Sequence, residues 1–181
     1  HGDFSAKNIT VRLESLKLNQ NQKYIILENL APKSVNLIDF GACHQDKEHY
    51  DYLSVTVACG APECYGSVSG GYTASKASDI FALAILLHDM WFSSDLSKNI
   101  SLLEIIHQKP IQSLYHLIAL MIDNYPKAYK QAKKSNQLFP NSDPLAQLIF
   151  KALHPEINKR PTILEFRKGF LNAIKLRKRR F

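Results

Sequence analysis

Two short clusters in the chain carry oxygen-bearing side chains at spacings that suit metal-assisted chemistry. The first is His1-Gly2-Asp3-Phe4-Ser5-Ala6-Lys7-Asn8, which runs straight into a strand-like segment. The second is Leu37-Ile38-Asp39-Phe40-Gly41, at the end of another such segment. Carboxylate and amide oxygens of this kind hold Mg²⁺ against phosphates, and a further carboxylate accepts or orients the proton of an attacking hydroxyl. Those are the requirements of phosphoryl transfer, and Asp3, Asn8 and Asp39 are the residues that meet them. Gly41 is expected to permit the turn that aims Asp39 inward. The bland alternative is that these are loop residues satisfying their own backbone.

The elements that must position these residues follow from pattern. Asn8 to Leu13 alternates as a strand does, Lys23 to Leu27 is a second β-rich run, and Val35 to Ile38 is a third. Asn19 to Gln22 is a polar turn between the first two, and Gly60, Pro62, Gly66, Gly70 and Gly71 mark irregular backbone. The remainder predicts helices. Ser78 to Phe92 is apolar apart from Ser78, Asp79, His88 and Asp89, which predicts a buried central helix. Ser101 to Gln108 reads as a short amphipathic helix ended by Pro110, and Ile111 to Lys134 as one or two more. Asp143 and Pro144 open a helix through Leu153. Pro161 and Thr162 open the last, with Ile163, Phe166, Phe170 and Ile174 at core-facing spacing. The expected fold is α+β and mainly helical, with no internal repeat or linker.

Composition narrows the class. The chain has 181 residues, of which 45% are hydrophobic and 22% charged, as in one soluble globular domain rather than a disordered segment. No apolar run reaches the roughly 18 residues of a membrane span; the stretch Ile80 to Leu87 is cut off by His88 and Asp89. No signal peptide is visible. Residue 1 already belongs to the strongest motif and no Met precedes it, so the chain is expected to be a fragment. The net charge of +7 favours acidic ligands such as nucleotides, and nucleic acid is not expected as a partner. Part of that charge is the terminal cluster Lys175, Arg177, Lys178, Arg179 and Arg180, read as a solvated helix end, with nuclear import or anionic-lipid contact as the sharper alternative. Cys43, Cys59 and Cys64 lack metal-ligand spacing and read as reduced thiols of a cytoplasmic protein. The histidines likewise show no ligand spacing.

Taken in order, these segments resemble the protein kinase family. His1 to Asn8 is similar to its catalytic loop, Asp39-Phe40-Gly41 to its D-F-G and Ala61-Pro62-Glu63 to its A-P-E. Ser78 to Leu83 resembles the start of its buried central helix, and Leu153-His154-Pro155 to Arg160-Pro161-Thr162 the segment with its late arginine. The resemblance implies a kinase C-terminal lobe over residues 1–181, with a short β layer at the catalytic and D-F-G loops and the N-terminal lobe outside the chain. It implies ATP and Mg²⁺ as cofactors and a protein as substrate. Asp3 is then the catalytic carboxylate, Lys7 approaches the transferring phosphate, and Asn8 and Asp39 bind metal and nucleotide. Glu63 and Arg160 are expected to form a buried ion pair, and Asp79 to accept hydrogen bonds from the catalytic-loop backbone.

The sequence also departs from the family pattern. Gly2 stands where an arginine is usual (a non-RD member), so activity is expected not to require phosphate on Ser54 or Thr56. Ser5 replaces the lysine common in serine/threonine kinases and Lys7 sits where tyrosine kinases often carry a basic residue, whereas Thr56 matches the threonine typical of serine/threonine kinases, the specificity expected here. The stretch from Asp3 to Asp39 is long, which implies an enlarged hairpin around Arg12 to Lys33, and Ala84 replaces a helix glycine. Without a Gly-rich loop or strand lysine the isolated fragment is expected to be inactive. An aminoglycoside- or choline-type phosphotransferase is one rival, opposed by Ala61-Pro62-Glu63 and Arg160-Pro161. A pseudokinase scaffold is the other.

Overall fold

The structure, a computed structural model, describes residues 1–3, 5–13, 32–43, 49–50, 59–66, 72–73, 75–92, 106, 113, 116, 119–134 and 142–178. The chain divides into two compact units, one made of His1–Ser5 with Phe40–Phe181 and the other of Ala6–Asp39.

The smaller unit is a β hairpin. Strand β1 (Ile9–Leu13) pairs antiparallel with β2 (Pro32–Leu37), with Ile9 opposite Leu37 and a register irregularity between Arg12 and Leu13. Residues 14–31, most of the expected enlarged hairpin, lie between the two strands in sequence and outside the described residues. The expected strand Lys23 to Leu27 and the turn at Asn19 to Gln22 lie outside the described residues.

The larger unit is mainly helical. A two-residue ladder joins β3 (His49–Tyr50) to β4 (Tyr72–Thr73). Helix α1 (Lys76–Phe92) follows, then a π-helical segment Leu120–Asn124 that runs into α2 (Tyr125–Lys134), α3 (Pro144–Ala152) and α4 (Ile163–Lys178). Of the helix expected at Ser101 to Gln108, Ile106 is described and is fully buried in the core. Helix α3 packs against both α1 and α4. Phe81, Ile85, Met121, Tyr125, Leu145, Ile149 and Leu153 form the centre of this core. Ala84, at 0% exposure, sits among them, so the methyl that alanine adds in place of glycine is packed into the core.

Local chemistry sets the helix boundaries. The Asp143 carboxylate accepts from the backbone N–H groups of Leu145 (2.9 Å) and Ala146 (3.3 Å), while Pro144 fills the first turn, where no donor is needed. At α4, Glu165 Oε2 accepts from Thr162 N (2.7 Å) and Oγ1 (3.0 Å), and Thr162 Oγ1 accepts from Glu165 N, which is a capping box. Tyr125 and Tyr129 donate their hydroxyls to the carbonyls of Leu153 (2.8 Å) and Phe150 (3.1 Å), tying α2 to the end of α3. Tyr129 also stacks on Phe150 at 4.3 Å.

Helix α4 differs from its expected packing at Ile163 and at Ile174, which is half-buried and outside the core cluster, its place on the stripe being taken by Ala173. Ile163 is 59% exposed, and Phe166 and Ala173 are the buried members of the core-facing stripe, with Phe170 packed beside them. Its first turn extends past the core edge. Among the described residues no helix is long and apolar enough to cross a membrane.

Candidate active site

In the larger unit the first loop is held by the first turn of α1. Asp79 Oδ2 accepts from the backbone nitrogen of His1 at 2.9 Å, and Oδ1 accepts from Gly2 N at 3.0 Å. One carboxylate therefore fixes two successive backbone groups next to Asp3, the structural task expected of Asp79. Gly2 takes φ 80°, a left-handed conformation that costs glycine nothing. The His1 ring packs against Phe40, centroids 5.1 Å apart, which agrees with a packing role for this histidine. Asp3 lies in this unit and is half-buried. Its charge reaches the neighbouring Cys59: burial first, then Asp89 and Asp3, push that thiol up to about 11.

In the smaller unit the hairpin register brings Asn8 and Asp39 to one end. Ile38 N donates to Asn8 O at 2.9 Å, one step beyond the Ile9–Leu37 pair, and Asp39 is the next residue. Asn8 is 7% exposed and Asp39 is exposed. Lys7 sits in the 3-10 turn Ala6–Asn8 with an exposed side chain. The turn at this end differs from its expected form. Asp39 itself adopts the left-handed conformation, φ 59°, whereas Gly41 lies in the 3-10 turn Phe40–Ala42 and is not among the positive-φ glycines. Aspartate tolerates that region better than most residues, so the backbone turn is made at Asp39 itself.

One carboxylate and one amide oxygen are a suitable donor set for Mg²⁺, which takes its remaining oxygens from phosphates and water. The pair Asn8 and Asp39 fits such an ion by chemistry and by its shared hairpin end. Among the described residues no group of three or more His, Cys, Asp or Glu forms a self-sufficient metal cage.

A second constellation anchors the Gly60 to Tyr65 segment. Arg160 meets Glu63 in a bidentate pair, Nη1 to Oε1 at 2.6 Å and Nη2 to Oε2 at 2.8 Å, with the arginine side chain at 0% exposure. Arg160 also donates to the carbonyls of His154 (2.7 Å), Ala77 (3.1 Å) and Pro155 (3.4 Å), and stacks over Phe81 at 5.0 Å. Ser78 Oγ donates to Glu63 Oε1 at 2.7 Å. Ser78 and Phe81 belong to this site although motif reasoning gave them no role in it. The Ser75-x-x-Ser78 spacing, which makes a hydrogen-bonded start to α1, was the available signal. Just upstream, a Cβ at Gly60 would stand 2.8 Å from Tyr65 Oη, so a larger residue there would have to displace the buried Tyr65 ring.

Residues 15–169, more than half of the chain, match the family model described as Protein kinase domain. The matched range includes Asp39, Glu63 and Arg160 and begins after Asp3, Lys7 and Asn8. No curated protein matches the chain.

Proposed function

The chain belongs to the protein kinase family of phosphotransferases, and from that premise we propose that residues 1–181 form the C-terminal lobe of an ATP-dependent kinase acting on serine or threonine hydroxyls of proteins. The observation that carries this reading is the buried bidentate Glu63–Arg160 pair. It ties an activation-type segment to the helical core, which a small-molecule phosphotransferase of the aminoglycoside or choline type has no need of. Free cysteines at Cys43, Cys59 and Cys64 support a reducing, cytoplasmic setting.

In this reading Asp3 orients the substrate hydroxyl and takes up its proton. Asp79 holds the Asp3 loop by the backbone of His1 and Gly2, so that the carboxylate need not be ordered at the moment of reaction. Lys7 places positive charge near the transferring group. Asn8 and Asp39 are the residues that would hold Mg²⁺, which when bound neutralises charge on the nucleotide phosphates.

The test is ATP-dependent labelling of protein and aminoglycoside substrates by the complete protein. Protein labelling is expected, with Asp3→Asn lowering the rate by about 10²–10⁴. Asp39→Asn should abolish it while leaving the melting temperature near that of the parent. Parent-like labelling by Asp39→Asn would remove that residue from the metal site, and labelling of the aminoglycoside alone would overturn the protein-kinase reading. Because Gly2 lacks a cationic side chain to read a phosphate, phosphatase-treated protein, free of phosphate on Ser54 and Thr56, is expected to retain activity.

A further inference from the structure

Helix α4 has two opposed sides. Phe166 and Ala173 are buried against the core, with Phe170 packed beside them. At about 100° per residue the opposite side carries Leu164, Lys168, Leu171 and Lys175, with Arg167 on one flank. All of these are exposed, Leu164 at 73% and Leu171 at 45%. Polar residues ordinarily fill such an outer face. A single exposed leucine would need no explanation, but here two leucines two turns apart alternate with two lysines along one ridge.

The charge on this ridge is not balanced within the helix. Its acidic residue, Glu165, is already engaged by Thr162 in the capping box. The sequence continues through Arg177, Lys178, Arg179 and Arg180. The occupant of the face must therefore be anionic and must accept apolar side chains. A second copy of the chain is disfavoured, since a symmetric contact would oppose the same basic ridge to itself. An acidic peptide helix would need a groove to receive its apolar anchors, whereas these leucines stand on a convex ridge. A flat anionic bilayer meets both demands: the leucines enter the headgroup boundary and the cations face the phosphates.

We propose that the outer face of α4, centred on Leu164, Lys168, Leu171 and Lys175, docks the protein peripherally on anionic phospholipid membranes. Co-sedimentation of the complete protein with phosphatidylcholine vesicles, with and without phosphatidylserine, tests this. Binding is expected with phosphatidylserine alone among the two compositions and should fall as salt is raised. Lys168→Glu/Lys175→Glu should lower the vesicle partition at least about tenfold, and Leu164→Ser/Leu171→Ser should lower it several-fold, each with an unchanged melting temperature. Should the glutamates melt early, Lys168→Gln/Lys175→Gln carries the same test. Indifference to phosphatidylserine, parent-like partition of the folded variants, or capture by polyglutamate beads but not by vesicles would each overturn the proposal.

Discussion

Arg160 uses every one of its guanidinium donors inside the protein: on Glu63, on the carbonyls of His154, Ala77 and Pro155, and with its plane over Phe81. Truncating either member of the Glu63–Arg160 pair leaves the other charge without its partner in a dry site. Arg160→Met and Glu63→Ala are each expected to cost about 3–5 kcal/mol in urea unfolding. The double variant should cost clearly less than their sum, because neither charge is then stranded. Cys64 offers a second test at this scale. Burial, then the Glu63 charge, raise its thiol from 9.0 to about 11, whereas Cys43 is exposed. A thiol reagent at neutral pH should label Cys43 before Cys64, which is buried and whose thiolate fraction lies about a hundredfold below that of an ordinary thiol. The shift also sets a sign for stability. The neutral thiol is favoured by the fold, so its contribution is intact below pH 9.0 and is lost as pH rises toward about 11.

Among the elements, the helix caps can be tested one by one. Asp143→Ala removes the acceptor of two backbone donors and should cost about 1 kcal/mol. At α4 the backbone and then the hydroxyl of Thr162 hold the Glu165 carboxyl below its ordinary 4.5. Its contribution is therefore present above that value and is lost as pH falls through the lowered one; Glu165→Ala should flatten this part of an acid-unfolding curve. The caps also show what the sequence could reveal. Asp143-Pro144 and Thr162-x-x-Glu165 are local signals, and the apolar run of α1 was legible for the same reason. Ile163 was not: periodicity says which residues share a side but not where the core ends, and the first turn of α4 lies beyond that edge. The Ser78–Glu63 contact was hidden too: the Ser75-x-x-Ser78 spacing marks a helix start, but the acceptor is fifteen residues away and on another element.

At the level of the molecule, the kinase family was legible because five weak motifs fell in the right order, an arrangement that loop-capping residues would not produce. The left-handed turn at Asp39 was harder to see, since D-F-G draws attention to its glycine while the conformation is carried by the aspartate. The core of the larger unit joins helices distant in sequence, and Tyr125→Phe, which deprives the Leu153 carbonyl of its donor, should cost about 1–3 kcal/mol. The two long-range clasps described above have a kinetic consequence. Asp79 reaches back 77 residues to Gly2, and Arg160 reaches back 97 to Glu63. Closing spans of that length is entropically slow, whereas α3 and α4 are near neighbours along the chain. Refolding should therefore assemble the α3–α4 pair early and engage the arginine late, so that weakening the clasp hastens unfolding more than it slows folding.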